Sequence, residues 1–321
     1  MRVLITGASG FVGSWLARAC ADAGDEVFGI SRSGAVTAGT GLALDLTDAD
    51  SLGAAIVKIK PDAVYHLSAL SHVGRSWEDP AATLASNVGG DVNLLEALRR
   101  LAPAAKVVWA SSCELYGRAA SLPVPESAPA APTNPYAVSK TAGDMLAGVY
   151  ADAHGLHVLR VRPFNHVGPG QLPIFIVSSL AHQAAQAKRT GVSKLEIVTG
   201  NPDTRRDYTD VRDVCAAYRA LLDAEPGVYN VAQGHSVSAR ELVALVAELI
   251  APIEVSHVVD PGKVRAHEVM DHRGDASKLT AATGWQPRIP LRDTVADTIA
   301  WWEQQLAAGP VTFEVPARSR P

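Results

Sequence analysis

Short runs of apolar, often β-branched residues recur through the first half of the chain: Val3-Leu-Ile-Thr6, Glu26-Val-Phe-Gly-Ile30, Ala63-Val-Tyr-His-Leu67, Lys106-Val-Val-Trp-Ala110 and His157-Val-Leu-Arg-Val-Arg162. They are nearly continuous in apolar character, the pattern of strands covered on both faces. Between them the apolar spacing turns helical, over 11–23, 52–59, 80–101 and 135–153, and these intervals are long enough for right-handed strand-helix-strand crossovers. The predicted fold class is α/β, a doubly wound parallel sheet of Rossmann type. Beyond Pro163 the pattern loosens through Phe164-Asn-His-Val-Gly-Pro-Gly-Gln171 into a helix near 174–189, a strand at Leu195-Glu-Ile-Val198 and further mixed elements. This predicts two domains, 1–163 and a smaller α/β lobe over 164–321, with Val228-Tyr-Asn-Val231 a short strand that returns to the main sheet. No internal repeat is visible, and 309–321, with three prolines, reads as a surface extension.

The first strand runs straight into Gly7-Ala-Ser-Gly10-Phe-Val-Gly13. Glycine costs order in both strand and helix, so three of them at a strand-helix junction call for a reason. Such a turn lets a pyrophosphate approach unpaired backbone N–H groups at the positive end of a helix dipole, which points to a dinucleotide. A tight turn made for packing is the alternative. The spacing is G-x-x-G-x-x-G rather than G-x-G-x-x-G. After the second strand the chain reads Gly29-Ile-Ser31-Arg32-Ser33, without the acidic residue that holds the ribose 2′-hydroxyl of NAD. A guanidinium beside two hydroxyls suits a 2′-phosphate, so NADP(H) is the preferred cofactor with NAD(H) possible. Asp45 and Leu46, after the third strand, are placed to meet the adenine; capping its own loop is the competing role for Asp45.

Asn134-Pro135 marks a helix start, followed by Tyr136-Ala-Val-Ser-Lys140. Residues four apart share a helix face, so the phenol and the ammonium look into one cleft. Tyrosine titrates near 10, and a neighbouring ammonium together with the positive charge of a bound nicotinamide is expected to lower that value and make it a proton-transfer group. The fifth strand ends as Trp109-Ala-Ser-Ser112-Cys113-Glu114, and in a parallel sheet ligands collect beyond the carboxyl ends of strands. Ser112 can therefore share a substrate oxygen with Tyr136, while Ser111 caps a loop and Cys113 fills space. His72 and His166 have neither a carboxylate partner nor metal-ligand spacing in the sequence, and are assigned to cleft walls. No metal site is expected.

Composition narrows the partners. The net charge of −4 and the scattered basic residues argue against nucleic acid. Three cysteines, odd in number and widely spaced, fit neither a disulfide framework nor a zinc site and point to reduced cytoplasm. A strand directly after Met1 leaves no expected signal peptide, and no apolar run is long enough to cross a bilayer.

Together the glycine turn, Ser112, Tyr136 and Lys140 resemble the extended short-chain dehydrogenase/reductases, which work on nucleotide-diphosphate sugars, and the likeness covers nearly the whole chain. Arg162-Pro-Phe-Asn-His-Val-Gly-Pro-Gly-Gln171, Gly200-Asn-Pro-Asp-Thr-Arg-Arg-Asp207 and Asp210-Val-Arg-Asp213 resemble most the GDP-4-keto-6-deoxymannose reductases and GDP-mannose 4,6-dehydratases. The resemblance implies a cofactor site of Gly7, Gly10, Phe11, Val12, Gly13, Arg32, Asp45, Leu46, Leu67, Ser71, Asn87, Tyr136 and Lys140. It implies a substrate site of Asn165, Arg206, Arg265 and Glu268, the last two in Arg265-Ala-His-Glu268, where Ala266 replaces the family's proline. Arg206 and Arg265 would grip the diphosphate and Glu268 the ribose or base; ion pairs of these arginines with Asp207 or Asp271 are the alternative. Glu114 stands where the dehydratases keep an acid-base glutamate, and some reductases carry an acidic residue there too. The implied activity is NADPH-dependent C4-keto reduction of a GDP-4-keto-6-deoxyhexose, with a 4,6-dehydratase or 4-epimerase, or a non-catalytic dinucleotide binder, as alternatives. The implied assembly is a homodimer.

Overall fold

The computed structural model describes residues 1–264 and 269–309. Its strands and helices alternate as β1 (Arg2–Thr6), α1 (Phe11–Asp22), β2 (Glu26–Ser31), β3 (Thr40–Ala43), α2 (Ala49–Ile59), β4 (Ala63–His66), α3 (Val73–Glu78), α4 (Pro80–Leu101), β5 (Lys106–Ala110), α5 (Pro135–His154) and β6 (Val158–Pro163). A seventh strand, Gly227–Val231, pairs in parallel with β6, and the sheet runs in the order Gly227–Val231, β6, β5, β4, β1, β2, β3, parallel throughout. Strand order reverses at β1, which has β2 on one side and β4 on the other, so a crevice opens beyond the carboxyl ends of these strands. Leu4, Ile30, Val64, Val107 and Val158 from the strands pack with Leu52, Ile56, Leu94 and Leu98 from α2 and α4 into one buried cluster.

Local chemistry sets the helix ends. Asp48, Asp79 and Asn134 each accept a backbone N–H in the first turn of α2, α4 and α5, and Pro80 and Pro135 occupy first-turn positions where no intrahelical donor is needed. The Asp48 cap starts α2 three residues before the apolar spacing alone suggests. One crossover has no helix: β2 joins β3 through 32–39. Ser31 donates its hydroxyl to the Ala35 carbonyl (3.1 Å), Ser33 accepts the Ala35 N–H (3.2 Å), and Thr37 donates to the Ser14 carbonyl on α1 (2.7 Å), so the loop is tied down by its own hydroxyls.

The chain divides into two compact units, the first of 1–163, 214–231 and 275–286, the second of 164–213, 232–274 and the residues from 287 on. The second holds helices Ile176–Thr190, Ala239–Leu249 and Leu291–Ala308, a parallel strand pair Lys194–Thr199 with Glu254–Val259, and a three-stranded sheet in which Arg205–Arg206 lies between Val237–Ser238 and Asp271–His272. Its core gathers Leu180, Ala184, Ile197, Leu242, Val246, Ile299 and Trp302. The extension expected at 309–321 lies, from 310 on, outside the described residues.

Candidate active site

The turn after β1 needs two of its glycines for itself. Gly7 has a φ of +73°, and a Cβ there would stand 2.9 Å from the Ser68 nitrogen; at Gly13 a Cβ would come within 2.2 Å of the Gly7 carbonyl oxygen. Gly10 differs. It is exposed, begins α1 with no side-chain cap, and its missing Cβ would meet only the Gly7 oxygen at 3.1 Å. The bare backbone of Gly10 leaves room for an outside acceptor in front of the N-terminus of α1, which fits a pyrophosphate.

At the end of β2, Arg32 is exposed and makes no hydrogen bond among the described residues, while Ser31 and Ser33 seal the turn beneath it. Asp45 takes the competing role named for it: its carboxylate accepts the Thr47 N–H (2.9 Å) and hydroxyl (2.8 Å), bonds that hold it below the usual carboxylate range. Leu46 is a core residue. Beyond β4, Leu67 donates its N–H to the Thr6 carbonyl, and Ser71 is exposed. Asn87 braces this segment. Its carbonyl accepts the Leu70 N–H (2.7 Å) and its amide donates to the Ser139 hydroxyl on α5 (2.9 Å).

Ser112, Glu114 and Tyr136 come together where β5 ends and α5 begins, with Lys140 one turn further along α5. Ser112 is buried, accepts the Glu114 N–H (3.2 Å) and lies close enough to the Tyr136 phenol to lower its pKa. Asn134, which sequence reasoning took only as a helix start, caps α5 by accepting the Ala137 N–H (2.8 Å) and donates its amide to Glu114 Oε2 (3.0 Å). It therefore fixes the helix carrying Tyr136 to the turn carrying Ser112. Ser111 donates to the Lys140 carbonyl (3.4 Å), a bracing contact. Lys140 is 4% exposed.

The protonation state differs from the sequence expectation. Burial pushes the Tyr136 phenol above the usual tyrosine range; the Ser112 hydroxyl opposes this, and the Glu114 carboxylate adds to it. The Lys140 ammonium does not pull the phenol down. Burial lowers the lysine's own pKa, and the carboxylates of Asp91 and Asp144 resist that fall. The physical reason is solvent exclusion: a phenolate here would lose its hydration without a cation close enough to replace it.

In the second unit Asn165 is exposed on strand Asn165–Val167. Arg206 donates through Nη1 to the carbonyls of Arg205 and Val269 (both 2.8 Å), not to Asp207. Asp207, fully buried, accepts the N–H groups of Gln233, Gly234 and Gly274 (2.8, 2.9 and 3.2 Å). His72 accepts the Arg75 N–H at the start of α3, and His166 pairs with the Phe164 carbonyl, local roles for both. Cys113 is buried, and none of the three cysteines forms a disulfide. Among the described residues no group of three or more potential ligands could hold a metal ion, and no helix is long and apolar enough to cross a membrane. Arg265 and Glu268 lie outside the described residues.

Comparison with known proteins places this geometry. A GDP-mannose 4,6-dehydratase family model matches residues 4–298. The GDP-6-deoxy-D-mannose reductase of Pseudomonas aeruginosa is 37% identical over 316 residues, covering 95% of this chain and 98% of that protein. A GDP-mannose 4,6-dehydratase of Vibrio cholerae is 30% identical, with 92% of each chain covered. Among solved structures, that of RMD from Pseudomonas aeruginosa complexed with NADPH superposes with a TM-score of 0.82 at 34% identity, covering 95% of this chain and all of that one. The relatives are reductases, dehydratases and epimerases, and the chain belongs to the GDP-mannose 4,6-dehydratase family of extended short-chain dehydrogenase/reductases.

Proposed function

We propose that the chain is a reductase that converts the C4 ketone of a GDP-linked 4-keto-6-deoxyhexose to an alcohol at the expense of NADPH. The observation that carries this reading is Tyr136, a half-buried phenol at the start of α5 beside Ser112 at the end of β5, with its pKa above the usual tyrosine range. A reduction needs a proton donor beside the ketone oxygen, whereas oxidising the same carbon needs a base. The similarity to the Pseudomonas reductase supports the same direction.

NADPH, when bound, supplies the hydride. The amides that open α1 hold its pyrophosphate, Arg32 takes the 2′-phosphate, and Lys140 donates from Nζ to the ribose hydroxyls. Ser112 Oγ orients the ketone oxygen, and Tyr136 Oη gives that oxygen a proton as its negative charge develops. Arg206 and Arg265 bind the diphosphate, with Asn165 and Glu268 on the sugar-nucleotide side. Purified protein incubated with NADPH and GDP-4-keto-6-deoxymannose should lose nicotinamide absorbance one-for-one with product; no loss of absorbance overturns the reading. The dehydratase alternative is favoured by one feature, Glu114 held by Asn134 beside Ser112. It predicts product from GDP-mannose with no net consumption of nicotinamide.

The protein acts in the cytoplasm as a homodimer. On α5, Val138, Met145 and Val149 share one face and are exposed, Met145 by 62% and Val149 by 59%, and Leu84 and Val92 on α4 are exposed as well. An apolar stripe of this kind on a water-facing helix pair suits a self-complementary contact. Light scattering should report a dimer that Val149→Asp dissociates.

A further inference from the structure

Beneath Lys140 lie buried polar groups that have no part in the reaction described above. Thr6, His66 and Asp91 form one chain: Thr6 Oγ1 meets His66 Nδ1 at 2.8 Å, and His66 Nε2 meets Asp91 Oδ1 at 2.7 Å. All three are 2% exposed or less. Counting donors fixes the protons. Thr6 Oγ1 accepts the Ser68 N–H (3.3 Å) and shares the Leu67 N–H (3.2 Å) with the Thr6 carbonyl, so its own hydrogen goes to Nδ1 of His66. Nε2 then carries the imidazole proton and donates it to Asp91. The Trp109 ring lies over the imidazole, with centroids 4.1 Å apart, and burial disfavours the imidazolium. His66 is thus neutral and Asp91 is the anion.

The charges around Lys140 can then be sorted. It is faced by Asp91 from α4, by neutral His66 from β4, and by Asp144 from its own helix. Asp144 is already satisfied, held by Arg162 through Nε (3.2 Å) and Nη2 (2.8 Å) and by Arg160 at 3.4 Å. Asp91 makes no direct ion pair with a lysine or arginine among the described residues, so its charge acts on Lys140 across the packing of α4 against α5 and not by contact. Its second oxygen presses on α5 one turn past Lys140, where a Cβ on Gly143 would come within 2.0 Å of Oδ2. A glycine inside a helix weakens it, and here it admits a carboxylate.

We propose that Asp91, held by neutral His66 hung from Thr6, is the counter-ion that keeps Lys140 cationic and so able to hold the cofactor ribose. This rests on the dinucleotide reading given above. Thr6 directly precedes Gly7, so one hydrogen-bonded chain runs from the phosphate turn to Asp91, which packs against the helix that bears Lys140 at Gly143. Asp91 is a positioning residue and touches neither cofactor nor substrate in this role.

The test is NADPH binding to the full chain, followed by fluorescence from pH 6 to 10, for wild type and Asp91→Asn, with thermal unfolding of both. Asparagine keeps the acceptor for His66 and removes only the charge. The alkaline midpoint of binding should fall by about one pH unit or more, weakening affinity roughly tenfold above it, while neutral-pH affinity changes little. Superposable pH curves overturn the proposal, as does a uniform loss of affinity that tracks a lower Tm. Wild type that binds no NADPH at any pH overturns the cofactor reading instead, a result distinct from binding that Asp91→Asn leaves untouched. A second measurement needs neither ligand nor variant. Nitrogen-15 shifts of His66 in the wild-type protein should show the Nε2–H tautomer unchanged from pH 6 to 9, and an Nδ1–H tautomer or an imidazolium there overturns the assignment.

Discussion

Asp91 in the first unit and Asp207 in the second are both shut away from water, yet their neighbours differ. Asp91 accepts one imidazole N–H and directs its remaining oxygen toward the helix of Lys140. Asp207 accepts three backbone N–H groups from two separate segments, the turn at Gln233-Gly234 and Gly274, and so pins both to the strand Arg205–Arg206 and its continuation. The first carboxylate serves a charge, the second serves the chain path. Burial of a carboxylate is costly in either case, and what offsets the cost indicates the purpose. The same distinction runs through each unit. Around α5 the polar side chains lie about Tyr136 and Lys140, whereas in the second unit buried Asp207 and half-buried Arg206 bind backbone.

The sharpest way to break this contrast is at Tyr136. Tyr136→Phe removes the proton donor while leaving the ring in place, and should lower kcat by about a thousandfold or more, in line with the loss of a positioned general acid, with NADPH affinity within a factor of a few. Stopped absorbance with unchanged cofactor binding confirms it. Full activity in the phenylalanine variant sinks the assignment.

Asp207 should show the opposite profile, a large effect on stability and a small one on the chemistry per folded molecule. Burial pushes its pKa up to about 6 against the pull of the three amides. A carboxyl whose folded pKa lies above its unfolded value near 4 contributes most below that lower value, and the contribution is lost as pH rises through the higher one. The unfolding free energy of wild type minus that of Asp207→Asn should therefore fall between pH 4 and 6, by roughly 3 kcal/mol at two pKa units. A flat difference across that window removes the comparison.

Much of the first unit could be read from the sequence because its signals are local. The apolar runs mark β1, β2, β4, β5 and β6, Asn134-Pro135 marks the start of α5, and Tyr136 and Lys140 sit one helical turn apart. What could not be read depends on distance along the chain or on solvent. His66 and Asp91 are 25 residues apart, Thr6 and His66 are 60 apart, and Arg206 binds a carbonyl 63 residues away. The direction of the Tyr136 shift was missed because it follows from water exclusion, which no spacing rule reports. The helix-free crossover at 32–39 was hidden for another reason: it is held by hydroxyl bonds to carbonyls, not by an apolar stripe. Asp45 is the instructive middle case, since Asp-Leu-Thr is a local capping pattern and the sequence reading had already set that role beside the adenine contact.

A smaller effect sharpens the contrast at the edge of the first unit. Arg32→Ala should weaken NADPH about tenfold and leave NADH affinity unchanged, because one exposed guanidinium is removed and the turn bonds made by Ser31 and Ser33 persist. Equal losses for both cofactors would mean that Arg32 shapes the loop and does not read the 2′-phosphate.

The smallest effect, and the one that separates the two chemistries, belongs to Glu114. In a reductase its carboxylate is an anchor: Oε2 accepts the Asn134 amide at 3.0 Å, and a glutamine carbonyl can accept the same bond. Its charge also pushes the Tyr136 phenol upward, so Glu114→Gln should lower the phenol's pKa and bring the alkaline loss of activity to a lower pH. At neutral pH the phenol remains protonated in either form, and kcat for ketone reduction should change by no more than about threefold. A dehydratase would respond differently, because the glutamate would have to take the C5 proton and deliver one to the departing C6 hydroxyl, and an amide can do neither. Abolished turnover in Glu114→Gln with intact NADPH binding would therefore assign the site to elimination, and a shifted alkaline limb with nearly full neutral activity would assign it to reduction.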